Sequence, residues 1–328
     1  SEKVSFTDLI RGEISFDSGL IGDIAIAKNL RTPLYNFAVV IDDYDMKISH
    51  VIRGEDHIAN TPKQILIGRA FNFPEPKYGH LPLILDPDRS KMSKRYSATS
   101  IKEYKEQGYL SEVLINFMAL LGWHPTDDKE KMPVREIIEK FDLPRIQKGG
   151  AIFDLQKLDW LNSQYIKEKS SEELLEKLTE LYGKDLFQDK NQGLKMIEIG
   201  KQRVSRLNEF KEIQSSFLPG DYDKDLLIWK NTPAEKILEN LKTVKEMIRA
   251  LLEPEFSKKK LESYLMPFAD TIGRGEALWP LRVALTGKDK SAGPFEILDV
   301  LGKEESLRRI DLAIKKLELG IRNYGSKF

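Results

Sequence analysis

An α/β unit followed by an all-α region is the fold class this sequence predicts, and three observations predict it. Between residues 34 and 85, β-branched and aromatic runs alternate with a helical run, the strand-helix-strand order of a parallel sheet. From residue 170 onward, capping residues open helices that carry a single apolar stripe. The length, 328 residues with 41% hydrophobic content, supports two or three domains with substantial cores. The expected division is 1–90 for the sheet-forming part, 91–169 for a mostly helical middle part and 170–328 for a helical region with a subdivision near 225.

The elements follow in chain order. Residues 34–41, LYNFAVVI, and 46–53, MKISHVIR, read as two strands, with Asp42, Asp43 and Asp45 forming a short acidic turn between them. Thr61-Pro62-Lys63-Gln64 reads as a capping box with proline at the first helical position, opening a helix over 62–71. Residues 79–85, GHLPLIL, read as a short buried strand. Ser100 with Glu103 caps a helix that Gly108 ends, and Leu114, Phe117, Leu120 and Leu121 line another that stops at Gly122. Residues 144–162, with Pro144, Gly149 and Gly150, read as a joint.

The helical region begins with Ser170 and Glu173. Thr232-Pro233-Ala234-Glu235 opens a long helix striped by Ile237, Leu238, Leu241, Val244, Ile248, Leu251 and Leu252. A last helix is expected to stop at Gly320.

Composition excludes several functions. The chain has no cysteine, which removes disulfides, thiolate catalysis and cysteine-containing zinc sites. His50, His57, His80 and His124 are too scattered for a metal-ligand spacing, so no metal site is expected. No apolar run approaches the roughly 20 residues needed to span a bilayer, and SEKVSFTDLIRGEIS has no signal core; a cytoplasmic protein without membrane partners is the expectation, with a monomer as the default. The 52 basic and 52 acidic groups cancel, so a nucleic-acid partner must meet a local basic face.

One such local concentration is Leu85 to Arg95, LDPDRSKMSKR, which places Arg89, Lys91, Lys94 and Arg95 after a strand end. Open α/β sheets bind ligands at the carboxyl ends of their strands, which favours an anion here over a merely solvated loop. Ammonium groups closing over a triphosphate stabilise charge that develops as pyrophosphate leaves, and a loop that moves can then release it.

The sequence KMSKR, Lys91 to Arg95, resembles the second signature of class I aminoacyl-tRNA synthetases. PLYNFAVVIDDYDMKISHVIRGEDHIANTPKQ, Pro33 to Gln64, is similar to the glutamyl and glutaminyl branch of that class. The resemblance continues through YLSEVLINFMALLGW, AIFDLQKLDWLN and LRVALTGKDKSAGPFEILDVLG, and so covers essentially the whole chain. It is close to the bacterial type of glutamyl-tRNA synthetase, whose anticodon-binding part is helical; glutaminyl enzymes end in β-barrels, and the capped helices after 170 favour the former.

The resemblance implies the second half of a Rossmann-type catalytic domain, a mostly helical stem-contact region and an α-helical anticodon-binding region. It implies ATP with Mg2+, L-glutamate and glutamate tRNA as partners, and leaves open whether glutamine tRNA is also charged. No zinc is expected in this chain. In the reaction, the glutamate α-carboxylate attacks the ATP α-phosphate, and the glutamyl group passes from glutamyl-adenylate to the tRNA 3′ end.

Carried over residue by residue, the signature comprises Lys91, Met92, Ser93, Lys94 and Arg95. Lys94 is the main phosphate-contacting cation, Lys91 assists and Ser93 can hydrogen-bond. Arg53 matches the arginine that contacts the amino acid, a planar guanidinium being suited to a carboxylate; the alternative is a strand-end arginine paired with Glu55 or Asp56. Tyr35 matches a pocket tyrosine. Asp56 and His57 match positions facing glutamate and nucleotide, and Leu83 and Ile84 positions whose backbone meets adenine. For tRNA, Lys201, Arg203 and Arg206 on one helix, or Arg282 and Lys288, are the candidates.

The first class I signature, of the His-x-Gly-His type, does not occur. YGHL at 78–81 lies too near the lysines, and ISHV at 48–51 lacks the glycine. The chain is therefore expected to be the carboxyl-terminal two thirds of a synthetase, inactive alone. Rival readings are a glutaminyl-tRNA synthetase, a short enzyme that glutamylates a modified tRNA base, and a non-catalytic RNA- or partner-binding module.

Overall fold

The computed structural model describes residues 2–92, 100–187 and 189–325. Ser93, Lys94 and Arg95 of the signature lie outside the described residues. The chain divides into two compact units, one of residues 1–105 and 109–162, the other of 106–108 and 163–328.

The first unit is built on a four-stranded sheet in the order β2-β1-β6-β5. β1 (Lys3–Asp8) and β2 (Gly12–Asp17) form an antiparallel hairpin. A small two-stranded ribbon, β3 (Ala27–Asn29) and β4 (Thr32–Pro33), follows. β5 (His50–Gly54) runs parallel to β6 (Lys77–Leu81), register His50 to Lys77 through Gly54 to Leu81, with the helix Thr61–Ala70 between them in sequence. This is the strand-helix-strand unit that the sequence pattern implied. β6 also pairs parallel to β1 through Asp8 and Tyr78. Val4, Phe6, Ile65 and Tyr78 pack where the sheet meets that helix.

Four local expectations in this unit fail. Residues 34–41 form no strand: Tyr35–Asp45 is an 11-residue helix in which Asp42, Asp43 and Asp45 make the last turn. Short apolar runs do not distinguish strand from helix by themselves, and acidic residues at a helix carboxyl end oppose its dipole, so the local signals pointed the wrong way. Only the second half of 46–53 is a strand. The Thr61 capping box does not form, because the Thr61 hydroxyl is held by the β5–β6 region instead.

Pro82, which has no N–H to give a ladder, divides the expected strand 79–85. β6 ends at Leu81, and β7 (Ile84–Leu85) pairs parallel with β8 (Ala151–Ile152). Gly150 makes the β7–β8 approach possible, since a Cβ there would lie 2.4 Å from Leu85 Cδ1. The 144–162 joint thus contributes a strand. Ser100 and Glu103 exchange the two bonds of a capping box, and the helix Ser111–Leu120 buries Val113, Leu114, Phe117 and Leu120. Ile10, Leu120, Trp123, Met132, Ile137 and Ile146 form a second core.

Among the described residues of the second unit there are helices and turns but no strand. The Ser170–Glu173 capping box opens the helix Ser171–Tyr182. The helix Ala234–Ala250 buries Ile237, Leu241, Val244 and Ile248 as the stripe required, although Pro233 stands at its amino end and Thr232 caps nothing. Leu252 lies beyond it and is exposed. These residues share one core with the helices Lys258–Ile272 and Arg274–Thr286 and with the last element, Pro294–Gly325. That element breaks at Gly302, whose φ of 77° is left-handed, and continues through Gly320. Gly320 does not stop the helix, and a Cβ there would meet only the outer part of the Lys224 side chain, Cδ at 2.5 Å.

Candidate active site

The carboxyl end of β5 gathers most of the residues singled out from sequence. Arg53 is the fourth residue of that strand; Glu55, Asp56 and His57 follow in the 3-10 turn Glu55–Asn60. Tyr35, at the start of its helix, meets His57 with ring centroids 5.6 Å apart and its hydroxyl 3.4 Å from Nδ1. Lys91 Nζ lies 3.3 Å from Asp56 Oδ2, and this contact, with burial opposing it, holds the Asp56 carboxyl below the usual range.

Arg53 makes no ion pair with Glu55 or Asp56, each of which is engaged elsewhere. Its Nε donates to His80 Nε2 at 3.3 Å, its Nη2 donates to Thr61 Oγ1 at 2.8 Å, and its guanidinium lies 5.8 Å from the Tyr78 ring centroid. Among the described residues no carboxylate lies within ion-pair distance of it, although its charge reaches Asp43, whose carboxyl burial pushes up and Arg53 pulls back.

Behind Arg53 lies a buried pair that the sequence did not reveal. His80 sits opposite Arg53 on β6 and is fully buried, and Asp8, at the end of β1, is 2% exposed. Their side chains meet at 2.6 Å between His80 Nδ1 and Asp8 Oδ2. Asp8 also accepts from the backbone N–H groups of Ile10, Arg11 and His80. Burial pushes the Asp8 carboxyl up, but these hydrogen bonds outweigh it and hold the group below its ordinary value. Burial pushes His80 down; Asp8 opposes this, Arg53 and Arg11 reinforce it, and the net shift is downward. His80 is thus a neutral imidazole donating to a carboxylate.

A second network reaches the strand after Pro82. Glu55 accepts from Arg11 Nη2 through one oxygen and from the Leu83 N–H through the other, at 3.0 Å for the latter. Arg11 further donates to the carbonyls of His80 and Lys148. The Leu83 carbonyl accepts from Ala151 N–H, so both of its backbone groups have protein partners. Ile84 accepts from Met92 N–H at 3.1 Å, and Leu85 bridges Lys91. The described start of the signature is therefore laid along β7.

The structure thus links Tyr35, His57, Thr61 and Arg53 by successive contacts, adds Asp56 with Lys91, and connects Leu83 through Glu55. A cavity of about 570 Å3 lies at the other ends of β5 and β6, between Tyr44, His50, Phe73, Lys77 and Tyr78. It contains none of these residues.

Among the described residues no group of three or more His, Asp or Glu could hold a metal ion, and no helix is long and apolar enough to cross a membrane. In the second unit, Lys201, Arg203 and Arg206 do not share a helix: Lys190–Gly200 ends before them. Lys201 pairs with Glu198 and Arg203 with Glu296. Lys288 donates to the Ser215 carbonyl, and Arg282 Nε is buried without a partner.

Comparison with known proteins identifies the families that the two parts of the chain match. Residues 1–160 match the family described as tRNA synthetases class I (E and Q), catalytic domain, and residues 159–314 match the anticodon binding domain. Residues 1–160 thus belong to the class I tRNA synthetase catalytic domains of the glutamate and glutamine group. It is 39% identical over 319 residues to glutamate–tRNA ligase 2 of Caldicellulosiruptor saccharolyticus, covering 94% of this chain and 65% of that protein. To glutamate–tRNA ligase of Moorella thermoacetica it is 39% identical over 320 residues, covering 94% and 64%. The crystal structure of a glutamate tRNA ligase from Elizabethkingia meningosepticum in complex with its amino acid superposes with a TM-score of 0.84 at 30% identity, covering 96% of this chain and 66% of that one. The chain thus spans slightly less than two thirds of the length of these relatives.

Proposed function

We propose that this chain carries the glutamate-recognising and pyrophosphate-releasing part of a glutamate-tRNA ligase, together with its tRNA-binding helical region. Arg53 is the observation that carries the reading: a guanidinium positioned by His80, Thr61 and Tyr78, left without a carboxylate partner among the described residues, at the carboxyl end of a parallel strand. The side-chain carboxylate of L-glutamate is the partner its charge and planarity fit. Tyr35 walls the same place, and Asp56, whose Oδ2 takes Lys91, is assigned to the amino acid's ammonium group through its other oxygen.

ATP, arriving with Mg2+ as its phosphate counter-ion, meets the segment that begins at Lys91. His57 and the backbone of Ile84 are assigned to its base and ribose; the Leu83 N–H and carbonyl already have protein partners and support the assignment less. Lys94, with Lys91 and Ser93, stabilises charge on the departing pyrophosphate as the glutamate α-carboxylate attacks the α-phosphate. The glutamyl group then passes to the tRNA 3′ end, with residues 91–169 against the acceptor stem and the helical region reading the anticodon. The second unit, which has no strand among its described residues, favours glutamate over glutamine as the amino acid, and its presence disfavours the short enzyme that modifies a tRNA base.

β5 is an edge strand of its sheet, and its Ile52 is 47% exposed. The sequence contains no His-x-Gly-His type signature. The 328-residue polypeptide alone should therefore show no ATP–pyrophosphate exchange, even with tRNA. Supplying an upstream segment that carries this signature should restore exchange dependent on L-glutamate. Exchange by the unsupplemented chain would refute the incompleteness, and dependence on L-glutamine would refute the substrate.

A further inference from the structure

We infer that Asp8 and His80 are positioning residues for Arg53, and that they fix the direction from which a ligand carboxylate can reach it. This rests on the reading of Arg53 as the glutamate-binding cation.

The three residues lie side by side across β1, β6 and β5. Asp8 accepts from three backbone N–H groups, which keeps it a carboxylate and an acceptor. His80 must then present Nδ1–H to Asp8, which leaves Nε2 as an acceptor for the Arg53 Nε–H. The Arg53 Nη2 gives one hydrogen to Thr61. With Nε and one Nη2 hydrogen committed to protein, the open donors are Nη1 and the remaining Nη2 hydrogen. A carboxylate can therefore bind only end-on, across the two terminal nitrogens, and not along the Nε edge.

The imidazole converts the buried charge of Asp8 into an acceptor without placing an anion beside Arg53. A carboxylate in the place of His80 would neutralise the guanidinium and compete with the ligand. Thr61 supports the same orientation when its hydroxyl donates to the His57 carbonyl, at 3.2 Å, which leaves the single Nε2 lone pair to Arg53 although Thr61 Oγ1 lies 3.1 Å from that nitrogen.

Protonation of His80 would invert the arrangement. The charged groups facing the ring are Asp8 from β1, Arg11 from the β1–β2 turn and Arg53 from β5, with the Tyr78 phenol on β6. A proton on Nε2 would oppose the Arg53 Nε–H donor to donor and add a second positive charge beside it.

The test follows nitrogen-15 resonances of His80 and Arg53 in the 328-residue chain during titration with L-glutamate. The expected spectrum shows His80 protonated at Nδ1 alone, and L-glutamate shifts Arg53. In Asp8→Asn the amide can donate to Nδ1, so the ring proton should move to Nε2 and L-glutamate should bind about tenfold more weakly, the scale of one charge-assisted hydrogen bond. His80→Gln keeps an acceptor near Arg53 and should bind more tightly than His80→Asn, which cannot reach it; this comparison stands even if Asp8→Asn does not fold. On acidification affinity should fall further in the unsubstituted chain than in His80→Gln, where only the ligand's own carboxylate is protonated. Unchanged affinity in Asp8→Asn, or equal affinities in the two His80 variants, while Arg53→Ala loses binding, overturns the positioning role and leaves the glutamate reading intact. Unchanged affinity in Arg53→Ala, or no response of Arg53 in the unsubstituted chain, overturns both.

Discussion

Lys91 Nζ lies 3.3 Å from Asp56 Oδ2, so the first residue of the KMSKR signature touches the turn that follows β5. Two sequence motifs separated by more than thirty residues share one place, and the contact gives the described end of the cationic segment a defined position beside the candidate glutamate site.

Both partners of that contact are largely exposed, at 68% for Lys91 and 44% for Asp56. Surface ion pairs add little to stability. Asp56→Ala should leave the thermal unfolding midpoint unchanged while making trypsin cleavage after Lys91 faster. Cleavage at the original rate would show that Asp56 does not hold the segment.

The backbone path beneath the signature depends on Gly150. Gly150→Ala puts a methyl group 2.4 Å from Leu85 Cδ1 and 2.9 Å from Cγ, so Leu85 must move or β7 and β8 must part. The expected cost is about 1–3 kcal/mol by denaturant unfolding. Gly149→Ala, with nothing within 4 Å, is the matched control and should be close to neutral. Equal stabilities of the two variants would mean that β7 and β8 do not approach as described.

Acid stability should carry a signature of Glu305. Hydrogen bonds from Arg308 lower its pKa, burial opposes this and Arg309 adds to the lowering, and the result is about 2 against an ordinary 4.5. The folded pKa is depressed, so the contribution is complete above the unfolded value and is lost as pH falls from about 4.5 toward 2. Measured by urea unfolding, the stability difference between the unsubstituted chain and Glu305→Gln should be constant above pH 5 and shrink below it. A difference independent of pH over that window would contradict the pairing.

If the helical unit grips tRNA phosphates, affinity should fall steeply with salt, each phosphate neutralised releasing counter-ions. Filter-binding titrations from low to moderate salt would measure the slope. A flat response would argue against a phosphate-binding face. Because Lys201, Arg203 and Lys288 have protein partners, their single alanine variants should change the slope less than a cation committed to tRNA alone.

The parts of the fold legible in the sequence are those set by neighbours a few residues apart. Ser100 with Glu103 and Ser170 with Glu173 make their own caps within one turn, and the Ile237–Ile248 stripe needs only helical spacing. Residues 34–41 were misleading because β-branched side chains favour strands locally, while the helix there is settled by what packs beside it. Arg53 and Tyr35 stood out through the family resemblance; their spacing alone would not have chosen them. Asp8 and His80 were invisible as a pair, since their contact joins residues 72 apart and exists only through the β1–β6 pairing and strand register. A strand-end aspartate and a strand histidine carry no local mark of being fully buried against each other.

The most direct test of the account is the kcat/KM for L-glutamate in tRNA charging, measured with the chain supplemented by an upstream first-signature segment, for the unsubstituted protein and for Arg53→Gln. The account predicts a loss of about a hundredfold or more in the variant, the scale of losing one partner of a paired charge, with the KM for ATP little changed. Equal kcat/KM values for L-glutamate in the two proteins would contradict it.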